Sequence, residues 1–220
     1  MPNRPVPSSS RLTAKPAERA PPIRVGDQLA LDFLNSIAAP HGVAIEWIPD
    51  GAALLEWLTG SGVIGRDEAK RIAADAPTRM LDRVANEAVE LRERFRSIVA
   101  RAKANGPEAL AGDDIARLNS VLARDATVQR IERSADDGRL RIVADRRWRD
   151  PGALLVPVAA AMAALICTGD FALVHRCKNP PCTLWFYDRT KGHRRRWCSQ
   201  TVCGNRAKVA AHRQRQRLAR

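Results

Sequence analysis

Cys177-Lys-Asn-Pro-Pro-Cys182 and, after an insert of fifteen residues, Cys198-Ser-Gln-Thr-Val-Cys203 decide how the last 44 residues of this chain fold. Two short cysteine hooks joined by a hairpin-sized insert are the spacing from which a tetrahedral four-thiolate zinc site is built. A shell of four sulfurs leaves no open position for water, so one Zn²⁺ held by Cys177, Cys182, Cys198 and Cys203 is expected to be structural. Four thiolates on Zn²⁺ carry a formal charge of −2, which Arg176, Lys178, Arg194–Arg196 and Arg206 stand close enough to moderate. The competing readings are a rubredoxin-type iron site, disfavoured by four-residue loops between the cysteines, and a thiol switch, which need not exclude zinc. A segment with so few apolar residues should unfold without its metal.

Between the hooks, Leu184-Trp-Phe-Tyr187 and Arg194-Arg-Arg-Trp197 read as strands joined through Asp188–His193, a hairpin with Gly192 in its turn. Gly204-Asn205 supplies a tight corner, and Arg206–Arg217 reads as a helix with Ala207, Val209 and Ala210 inward and cations outward. Knuckle, hairpin and a second ligand pair at a helix start form a treble-clef-like arrangement. Trp185, Phe186 and Tyr187 could stack on bases, but alternate members are better read as the core of the finger. His193 and His212 lie outside both hooks and are spare to a complete sulfur shell.

Charge singles out the same region. The chain of 220 residues has a net charge of +13, and residues 176–220 hold thirteen Lys/Arg against one acid, Asp188. Residues 1–175 hold twenty-four bases against twenty-three acids. Such asymmetry points to a polyanionic partner, nucleic acid before an anionic membrane. The longest apolar run, around Ala153–Thr168, is broken by Pro157 and reads as a buried helix rather than a membrane span. Met1-Pro-Asn-Arg-Pro-Val-Pro has no hydrophobic stretch behind it, which argues against a secretory signal. Paired cysteines at metal spacing suit a reducing cytoplasm, and Cys167, among Leu165 and Ile166, reads as a small buried residue.

Residues 1–21 lack apolar periodicity and read as a disordered leader. Leu29-Ala-Leu-Asp-Phe-Leu-Asn-Ser-Ile37 is favoured as a helix, broken by Pro40-His-Gly42. Helices are expected over Ala52–Thr59, with Leu54, Leu55 and Leu58 inward, and over Arg66–Ala76. The longest, Pro77–Ala104, has Leu81, Val84, Ala88, Leu91, Phe95, Ile98 and Val99 on one face. Its opposite face, Glu90, Arg92, Glu93, Arg94 and Arg96, reads as solvated with weak ion pairs. Asp113–Arg124 is expected to turn Ile115, Leu118 and Leu122 inward. Val128–Arg133 and Leu140–Ala144 flank Asp136-Asp137-Gly138, a hairpin signal, and a last helix runs Pro151–Thr168. The fold class is α+β: a mostly helical domain over 22–169 with one hairpin, followed by a small basic finger over 170–220. No phosphate loop, nucleophile elbow or dinucleotide fingerprint is present, so no catalytic residue is assigned and the chain reads as a non-enzyme.

Arg196-Trp-Cys-Ser199 with Cys203-Gly-Asn-Arg206, preceded by Cys177–Cys182 and Phe186-Tyr-Asp188, resembles the CGNR zinc-finger family. Leu29–Ser36 resembles the opening of the ABATE domain that usually precedes that finger in bacterial proteins. Ser36 stands where Thr is expected, and Thr190 where Ser is usual. The resemblance implies a stress-linked bacterial transcription regulator with a DNA-binding finger, its ligand role falling on the four cysteines above. On this reading Lys191, Arg194, Arg195, Arg196, Arg206, Lys208, Arg213, Arg215 and Arg217 contact nucleic acid, with RNA as the runner-up to DNA. The body would sense a small-molecule effector or form a homodimer. A third alternative, beside a finger that docks another protein, is a small-molecule-binding protein or enzyme sited in the body. Its polar candidates are Asp32, Asn35, His41 and Glu46, of which Asp32 and Asn35 more simply bond nearby backbone.

Overall fold

The computed structural model describes residues 21–40, 42–146, 148 and 150–218. The expected leader therefore lies, Pro21 apart, outside the described residues, as does His41. At the centre sits a short helix, α1 (Leu29–Leu34), whose Ala30, Leu31, Phe33 and Leu34 have no exposed surface. Four fully buried residues in six cannot fit one helical face, so α1 is covered on several sides. Helix α4 (Thr78–Asn105) and helix α6 (Val156–Thr168) both pack on it. Helix α2 (Gly51–Gly60) starts at Asp50, whose carboxylate caps Ala53 N at 2.8 Å, and lies against α4. Gly51 is required there: a Cβ would stand 2.4 Å from that of Leu81. Helix α3 (Arg66–Asp75) follows, and α4 ends at Gly106, whose φ of 85° is the left-handed conformation that glycine accepts most easily.

Between α1 and α2, residues Ile37–Ala38 (β1) and Ile45–Glu46 (β2) make a minimal antiparallel ladder. This ladder carries a correction to the charged face of α4. Arg92 is 1 % exposed, its guanidinium clamped by both Glu46 oxygens at 2.8 and 2.6 Å and bonded to Ser36 Oγ at 3.0 Å. The α1–β2 segment folds over that side of α4, a long-range contact that local spacing does not reveal. Helix α5 (Gly112–Leu122) is also rotated from expectation. Leu118 and Val121 are buried and Leu122 is partly so, but Ile115 is 48 % exposed and Asp114 takes the inner position, paired with Arg101.

Strands β3 (Thr127–Arg133) and β4 (Leu140–Arg146) form the expected hairpin, paired in register from Thr127↔Arg146 to Arg133↔Leu140. The chain then makes a 3₁₀ turn at Pro151–Leu155 before α6. Together these span Pro151–Thr168, long and apolar enough by length and composition to cross a membrane, with a mean hydropathy of 2.0. Half of that segment is buried, with α6 packed on α1 and α5. Cys167, expected inside, is exposed, because it faces away from the buried Met162 and Leu165.

Candidate metal centre and cationic surface

The C-terminal unit begins with strand β5 (Val174–Arg176), paired antiparallel with strand β6 (Trp185–Tyr187). The partner of the aromatic strand is therefore β5, and the hairpin expected between 184–187 and 194–197 is corrected. Residues 194–197 form no strand because Arg195 is held by other bonds. Its guanidinium donates to the carbonyls of Val25 at 3.1 Å, Trp197 at 3.1 Å and Cys198 at 2.6 Å, pairs with Asp27, and lies 4.3 Å over the Phe186 ring.

Turns deliver the four sulfurs. Cys182 N–H donates to Asn179 O, closing the first hook, and Cys203 N–H donates to Ser199 O within a π-helical turn, Gln200–Gly204, closing the second. All four cysteines are buried, their Sγ atoms lie within 4.8 Å of one another, and none is in a disulfide. The Cys182–Cys198 and Cys198–Cys203 separations are 3.8 and 3.5 Å. A tetrahedron with Zn–S bonds of about 2.3 Å has sulfur–sulfur edges of about 3.8 Å, so the cage fits one zinc ion. Disulfide-bonded sulfurs would instead approach to about 2.05 Å.

The electrostatics suit a cation. The Cys177 thiol is drawn down to about 2 by hydrogen bonds from the Cys182 and Cys198 thiols, with backbone amides of Cys198 and Asn179 adding to the effect. Cys182 is pushed up to about 12 by its bond to Cys177, and Cys198 is pushed up for the same reason. A divalent ion held in this cage would let all four thiols ionise. Asn179 Nδ2 lies 3.4 Å from Cys203 Sγ and orients that ligand, as outer-shell amides do around metals.

The finger is docked on the body. Asn35 Nδ2 donates to Trp185 O at 2.8 Å, and Asn35 Oδ1 accepts from Trp185 N at 2.8 Å. Ala39 N donates to Thr183 Oγ1, Tyr187 N to Gly26 O, and Arg206 Nη1 to Pro40 O. Asp32, the other candidate for binding an effector, accepts Gly26 N at 2.8 Å. Burial pushes the Asp32 carboxyl up, opposed by the amides of Gly26 and Val25. Asp32 thus fixes the strap that presents Val25 and Gly26 to the finger, Asn35 staples the finger itself, and Glu46 holds Arg92. All three have structural partners.

The nine cations proposed for nucleic acid divide in two. Lys191, Arg194, Arg196, Lys208, Arg213, Arg215 and Arg217 are exposed; Arg195 and Arg206 are half-buried and hold the interface above. Arg196 lies 5.3 Å over the half-buried Trp197. Helix α7 (Asn205–Leu218) carries the last four exposed cations, and Val209 and Ala210, expected inward, are exposed because the helix runs out beyond the body. The one acid of the region, Asp188, is fully buried and accepts from Thr190 N, Thr190 Oγ1 and Arg195 N. Burial pushes its carboxyl up, but the bonds from Thr190 and Arg195 outweigh this and hold it below the ordinary value. Sequence reasoning missed Asn179, Thr183 and Asp188; only Asp188 had a signal, as the single acid of a basic segment.

A basic, four-cysteine module fixed to a helical body defines the class of protein: a zinc-finger protein with an N-terminal helical domain. The ABATE model, described as "Putative stress-induced transcription regulator", matches residues 27–169, and the CGNR zinc-finger model matches residues 174–216. The chain belongs to the ABATE family, a regulator-type rather than an enzymatic family. No curated protein matches the chain.

Proposed function

We propose that this chain is a non-enzymatic, cytoplasmic transcription regulator whose zinc-locked finger binds duplex DNA through its phosphates. One observation carries the reading: from Val174 onward the finger turns its single acid inside and leaves ten of its described cations outside. A solvated surface of mixed charge would do neither, whereas a polyanion-binding surface needs both. The aromatic strand supports duplex over single-stranded RNA, since stacking on bases needs open rings. Phe186 is fully buried, and Tyr187 OH accepts from Asp170 N.

The body orients the finger through Asn35, Thr183, Arg195 and Arg206, and either senses a small effector or pairs two chains. An effector would have a hollow of about 430 Å³ between α3, Met80 and Trp148, rimmed by Glu68, Arg71 and Arg146. Its volume is in the range of small-molecule sites.

The test is a salt titration of the zinc-loaded full chain on a labelled duplex. If about six phosphates are neutralised, log K falls against log salt with a slope of about −5. A flat response would refute phosphate binding, and preference for structured RNA over the duplex would move the reading to the runner-up.

A further inference from the structure

Helix α7 has an unusual relation to the rest of the molecule. It is 14 residues long, or about 21 Å. From Lys208 to Arg217 every residue is exposed, and the helix contains no acid at all. A helix that buries no apolar face and forms no internal ion pair draws little stability from its own chain. Arg213 and Arg217, at i and i+4, repel each other. Such a helix is suited to a partner that supplies the missing negative charge.

Its faces are differentiated. At 3.6 residues per turn, Asn205, Val209, His212 and Gln216 fall within a strip about 60° wide. Lys208 and Arg215 flank the strip on one side, Arg213 and Arg217 on the other. Half-buried Ala207 lies opposite the strip, and Arg206 is tied back to Pro40 O, so the strip points away from the body. Val209 is 49 % exposed and lines an open hollow with Val202, itself 40 % exposed. An outward apolar residue between two rows of cations has no role in holding this fold.

From this geometry we infer that α7 enters the major groove of duplex DNA with the Asn205–Val209–His212–Gln216 strip on the base edges and a row of cations toward each phosphate strand. The inference rests on the DNA-binding reading above. A helix with its side chains is 10–12 Å across, and the major groove is about 12 Å wide. Asn and Gln pair bidentately with adenine N6 and N7, and an apolar side chain meets the thymine methyl group. The strip therefore selects a short A·T-containing step, and Val209 and Gln216 are specificity residues. Lys208, Arg213, Arg215 and Arg217 set position and affinity.

The experiment uses the zinc-loaded full chain to select from random duplex DNA, followed by thymine-to-uracil replacement in the selected site. Uracil removes only the major-groove methyl group. Replacement at one or two central positions should weaken binding roughly fourfold, the worth of one buried methyl. V209A should abolish that sensitivity. Q216A should relax preference at one adenine by about fivefold or more. K208A should weaken all sequences alike and reduce the salt slope by about 1. If the duplex is bound with the expected salt slope but V209A and Q216A leave selection unchanged, or a minor-groove ligand such as distamycin displaces the chain, this inference falls and the DNA reading stands. If no duplex is bound, or structured RNA is preferred, both fall.

Discussion

The carboxamide of Asn35 spends both its donor and its acceptor on one residue of the finger, Trp185, each at 2.8 Å. A side chain in this role acts as a short piece of backbone at the edge of β6, and neither Ser nor Asp can replace it. N35A leaves a peptide N–H and C=O unpaired in a partly buried interface and should lower stability by about 2–4 kcal/mol. N35D keeps the acceptor but sets a carboxylate against Trp185 O, so it should be at least as damaging. Urea unfolding of the zinc-loaded chain measures both; a loss under about 0.5 kcal/mol would show that the staple is incidental. The sequence marked Asn35 and Asp32 as polar residues in an apolar run and preferred a backbone-bonding role for them. The partner of Asn35 lies 150 residues away, so no local pattern could identify it. Arg92 illustrates the same limit: it looked like one member of an alternating charged face until β2 brought Glu46 over it.

At the level of elements, the helices were legible wherever a long apolar stripe repeated, as in α4, and less so where a helix is short. In α5 the inward face is set by Leu118 and Val121 rather than Ile115, because Asp114 is drawn in by Arg101. The α4–α5 contact is further tied by Glu87, whose carboxylate takes both Arg124 nitrogens at 2.8 and 2.7 Å and Arg117 at 2.9 Å. The side-chain bonds from Arg124 outweigh burial and hold Glu87 below its ordinary value of 4.5. A carboxyl depressed on folding contributes stability above its unfolded value and loses it as the pH falls through the folded one. E87Q should therefore cost about 1–2 kcal/mol at pH 7, more than an exposed pair would. Below pH 4.5 the gap between variant and parent should close. Parallel thermal melts across pH 3–7 check this, and a gap that stays constant would show that Glu87 acts through shape alone. In the finger, the pairing of β6 with β5 was hidden because residues 194–197 have the composition of a strand, yet Arg195 fastens them to Val25, Trp197 and Cys198 by side-chain bonds.

Across the whole molecule, the split between a near-neutral body and a strongly cationic end was fully visible in composition. What composition could not show is that the two are mounted on each other through α1 and its neighbouring strap. The four sulfurs are the joint on which this mounting depends, because β6, the Arg195 loop and the start of α7 all radiate from the hooks that carry them. Metal binding by a four-thiolate site contributes about 10–16 kcal/mol of folding free energy in small fingers, enough to hold this unit by itself. Removing it should free α7 and abolish duplex binding while leaving the helical body folded. Zinc K-edge absorption of the purified full chain tests the centre most directly. The account predicts one zinc per chain with four sulfurs at about 2.3 Å. A shell containing nitrogen from His193 or His212, or a chain purified without stoichiometric metal, would contradict it.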